Sequence, residues 1–194
     1  MKKTILALAT MLCCAFAGSA LAADAATMDA KAYKAEKDKI EATEKADKKA
    51  CGAMKANAKD ICKAEAKAKE KVARAELDAR NKPSPAADAK VKKAKADADY
   101  DVAKEKCDDQ KGNAKDVCKK EAKAAQTAAR GDAKVEKAAA TTGVNSATTA
   151  KVSKDAAEDT TDKQYSAAKE KCDTMKSDAK DKCVADAKKK FNKT

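Results

Sequence analysis

Six cysteines stand in three pairs, Cys51/Cys62, Cys107/Cys118 and Cys172/Cys183, with ten residues between the members of each pair. Thiols at a fixed spacing can close a structural disulfide, cycle as a redox couple or hold a metal. A redox couple is usually built with two intervening residues at a helix N-terminus, where the thiol pKa falls. Ten intervening residues do not supply that setting. Zinc held by thiolates needs reducing conditions, and neither a CxxC nor any His accompanies these cysteines. The favoured chemistry is therefore the structural disulfide, with a thiol redox or metal-binding stress protein as an alternative. The lack of His also removes the usual general base and the commonest metal ligand. Carboxylates abound but lie beside lysines, and the five glycines form no phosphate-cradling loop. No enzyme and no cofactor is expected.

The residues around the cysteines recur with them. KKACGAMKANAKDICKAEAK returns as KEKCDDQKGNAKDVCKKEAK and as KEKCDTMKSDAKDKCVADAK. In each copy, Ala- and Lys-rich sequence that favours helix is broken at a two-residue point, Ala56-Asn57, Gly112-Asn113 or Ser177-Asp178. Asn57, Asn113 and Asp178 are suited to cap the following helix. Asp60, Asp116 and Asp181, three residues on, could reach back as in a capping box. Gly112 also suits a left-handed helix end. The expected fold is all-α: three elongated, Ala/Lys-rich antiparallel helical hairpins, each clamped by its own disulfide.

In such a hairpin the two cysteines stand at similar height on facing helices, and alanines allow the close approach that a disulfide requires. In an unbroken helix they would stand about 16 Å apart and pairing between copies would be needed. Six cysteines allow fifteen connectivities, and three copies of one local unit favour closure within each copy.

Helices are expected near 27–55, 58–80, 86–111, 114–139, 150–176 and 179–191, with Gly131 a possible break in the fourth. Asn81-Lys82-Pro83-Ser84-Pro85 and Thr141 to Ser146 divide the chain into modules 23–80, 86–140 and 149–194. Tyr100 and Tyr165 each stand seven residues before a cysteine, on a stripe expected to face the hairpin partner. Glu41/Lys45, Glu44/Lys48, Glu65/Lys69, Glu70/Arg74, Glu76/Arg80, Asp116/Lys120 and Asp186/Lys190 are spaced for ion pairs along solvated helices.

Residues 1–22 have the layout of a cleaved secretory signal: Lys2 and Lys3, an apolar run from Ile5 to Gly18, and Ala20-Leu21-Ala22. Cys13 and Cys14 fall early in that run, as hydrophobes rather than a lipidation site. No later segment has the ~20 apolar residues of a membrane span. The expected location is the periplasm, an oxidising compartment in which thiols end as disulfides.

Beyond Ala22 the chain has 42 basic and 32 acidic residues, and the excess is spread over all three modules. Interleaved acids predict weak attachment to anionic envelope polymers that fades near physiological salt, where the Debye length is about 8 Å. Aromatics are few, and no specific nucleic-acid site is expected.

The signal, the Ala/Lys/Asp/Glu-rich helices and the unit Lys-x-Cys-x(4)-[Ala/Gly/Ser]-[Asn/Asp]-Ala-Lys-Asp-x-Cys resemble a group of small exported proteins of Gram-negative bacteria labelled TolA-like cell envelope biogenesis proteins. The resemblance implies an envelope location. The function expected is that of a non-enzymatic helical scaffold, spacer or interaction module, whose partner is an envelope protein or anionic envelope polymer. The alternative is a dedicated polyanion binder for cell-wall polymer, lipopolysaccharide or nucleic acid.

Overall fold

A computed structural model describes residues 27–194; the leader assigned to 1–22 lies outside the described residues. Six α-helices and one short 3-10 turn make up the described chain: α1 Ala30–Ala50, the turn Cys51–Ala53, α2 Ala56–Asn81, α3 Pro85–Cys107, α4 Gly112–Thr142, α5 Ala147–Cys172 and α6 Ser177–Lys190. They fold as three antiparallel hairpins, α1/α2, α3/α4 and α5/α6, each with its disulfide at the tip.

The first helix of each hairpin ends four or five residues earlier than the sequence suggested. In hairpins two and three its last residue is the cysteine itself, and in hairpin one it ends one residue before Cys51. The chain must reverse before the second cysteine can face the first, and a two-residue break is too short for that. Asp108–Lys111 and Asp173–Lys176 form the turns, held by bonds such as Gln110 N–H to the Cys107 carbonyl at 3.0 Å and Met175 N–H to the Cys172 carbonyl at 3.0 Å.

Each turn ends on one residue in the left-handed region, at the same place in all three copies: Ala56 at φ 47°, Gly112 at φ 56° and Ser177 at φ 46°. Glycine adopts this conformation freely, whereas a Cβ costs about 1–2 kcal/mol there. Ala56→Gly and Ser177→Gly are each expected to stabilise the oxidised protein by about 0.5–1 kcal/mol, and Gly112→Ala to destabilise it similarly. Urea titration of the three variants checks both signs.

At the opposite end the connections are short. Ser84 accepts from the Ala87 amide at 3.1 Å, with Pro85 at the first helical position, and Ser146 accepts from the Thr149 amide at 3.0 Å. Asp29 caps α1 in the same way. Residues 82–84 and 143–146 are therefore tight turns, not linkers, and they return each hairpin against the last.

The helices pack in chain order, α1 on α2, α2 on α3, and so on to α6; among the described residues no helix packs against one further away. Hairpin-to-hairpin packing, α2 on α3 and α4 on α5, is as much a part of the fold as packing within hairpins. Such a serial array stands on nearest-neighbour contacts alone. Its buried apolar residues are Ala and Cys apart from Leu77, 1% exposed. At about 0.8 kcal/mol per buried methyl-sized group, such residues supply a thin core. Small residues also set the spacing. Gly131, expected as a break, lies inside an unbroken α4, where a Cβ would come within 3.0 Å of the Ala156 Cβ on α5.

Candidate functional site

The three tips are the most regular feature of the molecule. Cys51 is bonded to Cys62, Cys107 to Cys118 and Cys172 to Cys183, so all six cysteines pair within their own copy. The Cα atoms of the pairs stand 5.6, 5.6 and 5.7 Å apart. The two members of a pair are not equivalent, however. Cys51, Cys107 and Cys172, at the end of the first helix, are buried, whereas Cys62, Cys118 and Cys183, one to two turns into the second helix, are only half-buried. Each clamp therefore joins a buried cysteine on one helix to a half-buried one on the other, a difference that the equal spacing in sequence does not reveal.

Beside the second pair, Lys115 and Lys119 approach Asp108 Oδ1 at 3.0 and 2.7 Å. Hydrogen bonding from Lys119 and Lys115 holds the Asp108 carboxyl below the usual carboxylate range. The third tip repeats the pair with Lys180 and Asp173 at 3.0 Å, and the first has Gly52 where that Asp would stand.

The cap assignment is overturned. Backbone geometry places Lys55, Lys111 and Lys176 at the N-cap positions, without a capping side chain, and puts Asn57, Asn113 and Asp178 inside their helices. Asp60, Asp116 and Asp181 make no capping-box bond, because the left-handed residue before each Asn or Asp shifts the helix start by two positions. The two asparagines instead reach the next hairpin. Asn57 Nδ2 donates to the Glu105 carbonyl at 2.7 Å and to Asp109 Oδ1 at 2.8 Å. Asn113 Nδ2 donates to the Glu170 carbonyl at 2.8 Å. Each adds a second donor to a last-turn carbonyl of the following module, which already accepts from its own C-cap amide, Asp108 N–H at 3.0 Å or Asp173 N–H at 3.1 Å.

A second contact accompanies each asparagine: Lys106 with Glu65 at 3.5 Å at the first seam, Lys171 with Glu121 at 2.6 Å at the second. These residues hold equivalent places around their cysteines, so the two seams are built alike. The outer edges differ. The first copy has Lys49 and Ala50 where later copies have Glu-Lys, and the last has Asp178 and Asp186 where earlier ones have Asn and Glu. Seam-forming residues occur only where a neighbour exists. The signal was present in the aligned copies as Asn, Asn, Asp, but it identifies a contact only once the hairpins are known to abut.

Further from the tip, each hairpin carries a cross-helix ion pair ten residues before its first cysteine: Glu41 with Arg74 at 2.8 Å, Asp97 with Arg130 at 2.5 Å, and Asp162 with Lys193. Two of the three arginines in the chain are used here. Most of the i,i+4 pairs expected along single helices are redirected in this way. Only Glu44–Lys48 and Glu70–Arg74 form as expected; Glu65, Glu76 and Lys120 reach Lys106, Lys95 and Glu170 on the next hairpin. Close packing of alanine-faced helices brings neighbouring charges within reach.

The tyrosines do face their hairpin partners: Tyr33 donates to Asp78 at 2.5 Å, Lys123 stands 5.1 Å over the Tyr100 ring, and Tyr165 meets Phe191 edge-on at 6.3 Å. The hydrogen bond to Asp78 raises the Tyr33 pKa.

Asp97 is the most enclosed member of the three pairs ten residues before the first cysteines, its side chain 15% exposed, and it also accepts from Gln126 at 2.9 Å. Burial pushes its pKa up, but the Arg130 hydrogen bond and charge, with Lys93 and Gln126, outweigh that and hold it below its ordinary value. A carboxyl with a depressed folded pKa stabilises the fold above its unfolded pKa, about 3.9, and that stabilisation is lost as pH falls through the lower folded value. Asp97→Asn is expected to cost about 1–2 kcal/mol at pH 7. The gap from wild type should close between pH 4 and the acid limit of the melt, as thermal denaturation across pH 2–7 would show.

Among the described residues no group of three or more Cys, Asp or Glu side chains is placed to hold a metal ion, and no helix is long and apolar enough to cross a membrane. The chemistry present is covalent clamping, repeated charge pairing across helices, and a row of tips in register. No protein-family model matches the chain, and neither a curated protein nor a solved structure was found to match it.

Proposed function

We propose that this is a non-enzymatic periplasmic protein of the cell envelope that serves as a helical scaffold and presents its three clamped tips to a partner. The observation that carries this reading is the repeated seam. Asn57 and Asn113 lock neighbouring tips in one row, about 16–20 Å apart at two helix spacings. Exposed Met54 and Met175 stand at equivalent places on the outer two tips. Methionine side chains are adaptable contact surface, and a rigid row of them suits protein docking. Photo-crosslinkers at Met54 and Met175, compared with one at Val144 at the other end, test this in intact cells. A discrete partner captured from the tips and not from Val144 is expected. Free thiols in the exported protein would favour the redox alternative instead. Salt-resistant sedimentation with purified cell wall or lipopolysaccharide, with no captured partner, would favour the polyanion binder.

A further inference from the structure

We propose that the middle hairpin also binds a single strand of a linear phosphate polymer, in a groove between α3 and α4 near the end opposite the tips. Lys90 and Lys93 of α3 and Arg130, Lys134 and Lys137 of α4 line this groove over a floor of alanines that includes Ala89 and Ala133. No carboxylate is among its lining residues. Among the described residues, Lys90, Lys134 and Lys137 have no ion-pair partner within 4 Å, whereas Lys93 and Arg130 share Asp97 at 3.4 and 2.5 Å from behind.

The other face of the same two helices is different. There Asp88 and Glu136 stand with Lys92 and Lys95, Lys92 pairs with Glu136, and Lys95 pairs with Glu76 at 2.8 Å, while Lys137 stands on the edge shared by the two grooves. The interleaving of charges in sequence, which predicts diffuse attraction, is thus sorted by the helical register into a neutralised face and a cationic one.

The shape selects the ligand. Arg130, Lys134 and Lys137 cover about 10 Å along α4, and the two cationic rows stand about 8–10 Å apart. That width takes one extended strand with a few phosphates between the rows. It is too narrow for a duplex, and a recessed alanine floor offers a flat bilayer little contact. Lys90 and Lys93 also line the adjoining groove toward α2, where Asp78 and Asp97 stand among Lys71, Arg74 and Lys82, so the carboxylate-free surface is the one between α3 and α4.

This site is independent of the scaffold reading, which concerns the tips. The test uses the full-length oxidised protein and fluorescent inorganic polyphosphate at rising salt. Binding is expected to persist at 0.15 M salt. The triple variant Lys90→Gln, Lys134→Gln, Lys137→Gln should weaken it about 10-fold or more and flatten the slope of log affinity against log salt by about 2, at roughly 0.7 for each phosphate left without its lysine. Lys55→Gln, Lys111→Gln, Lys176→Gln removes the same charge at the tips and should stay within about 2-fold, because those lysines lie outside the groove. Circular dichroism confirms that both variants remain helical, and tip crosslinking in cells should be unchanged in the first. Equal losses in the two triples would reduce the effect to diffuse charge and overturn the proposal. So would tighter binding to duplex DNA or anionic vesicles, or no binding by the wild type at 0.15 M salt.

Discussion

Removing the middle disulfide is expected to lower the melting temperature by about 6–12 °C. Closing a loop of this size restricts the unfolded chain by on the order of 3 kcal/mol, and each kcal/mol shifts the midpoint of a chain this long by about 2–4 °C. The effect should reach beyond the hairpin that loses the bond. From the sequence, Cys107→Ser with Cys118→Ser is expected to loosen the middle module most and its neighbours less. The neighbours, however, have α2 packed on α3 and α4 packed on α5, and no other module covers those surfaces among the described residues. A loosened centre uncouples both. Hydrogen exchange should therefore show faster opening in α2 and α5 as well as in α3 and α4. Full reduction of the three bridges should give the largest loss, with the strong helical signal of the oxidised form falling as well. An unchanged melt after reduction would mean that packing of alanines alone carries the fold.

The second large effect is expected at the seams. Asn57→Asp and Asn113→Asp keep the size of the side chain but remove the amide donor and add a negative charge. At the first seam that charge faces the Glu105 carbonyl and the Asp109 carboxylate; at the second it faces the Glu170 carbonyl and carboxylate. Each amide donates to a carboxylate as well as to the carbonyl, and a hydrogen bond to a charged group contributes about 1.5–3 kcal/mol. Like-charge repulsion adds to its loss, so each variant should lose about 2–3 kcal/mol of coupling between modules. The disulfides lie within hairpins and survive the change. The expected signature is a melt that splits into separate transitions with all three bridges, Cys51–Cys62, Cys107–Cys118 and Cys172–Cys183, intact by mass spectrometry. A single cooperative transition in the double variant would show that helix packing, not the asparagine, couples the modules. Asp178 supplies an internal comparison: it occupies the same place in the last copy, where no further module follows.

Helix, hairpin and disulfide connectivity were legible in the residues because each depends on local chain. Alanine and lysine favour helix wherever they dominate. A reversal between two cysteines with ten residues between them is the geometry that brings them together, and three copies of one unit make local pairing the simplest solution. Which cysteine of each pair would be buried was not legible, since equal spacing does not say how far a helix face is covered; Cys51, Cys107 and Cys172 are buried, and Cys62, Cys118 and Cys183 half-buried. The breaks between modules were visible for the same local reason, in Pro83, Pro85 and the Thr141 to Ser146 stretch. Cap positions were not, although they too look local. Asn57 is a good N-cap by type, but the left-handed Ala56 moves the helix start ahead of it and frees its amide for another module. A residue that serves a distant carbonyl and one that caps its own helix are the same letters in a row.

Packing between hairpins, the redirection of Glu65, Glu76 and Lys120 across the seams, and the sorting of lysines onto one face of α3 and α4 all depend on which surfaces meet. A helical period assigns each residue to a side, but only the neighbouring helix determines whether that side holds a paired charge, a buried alanine or an open groove. For a chain so poor in large apolar residues, that choice rests on small side chains that let the helices approach. Alanine, frequent along the whole chain, does not mark the side on which the approach occurs.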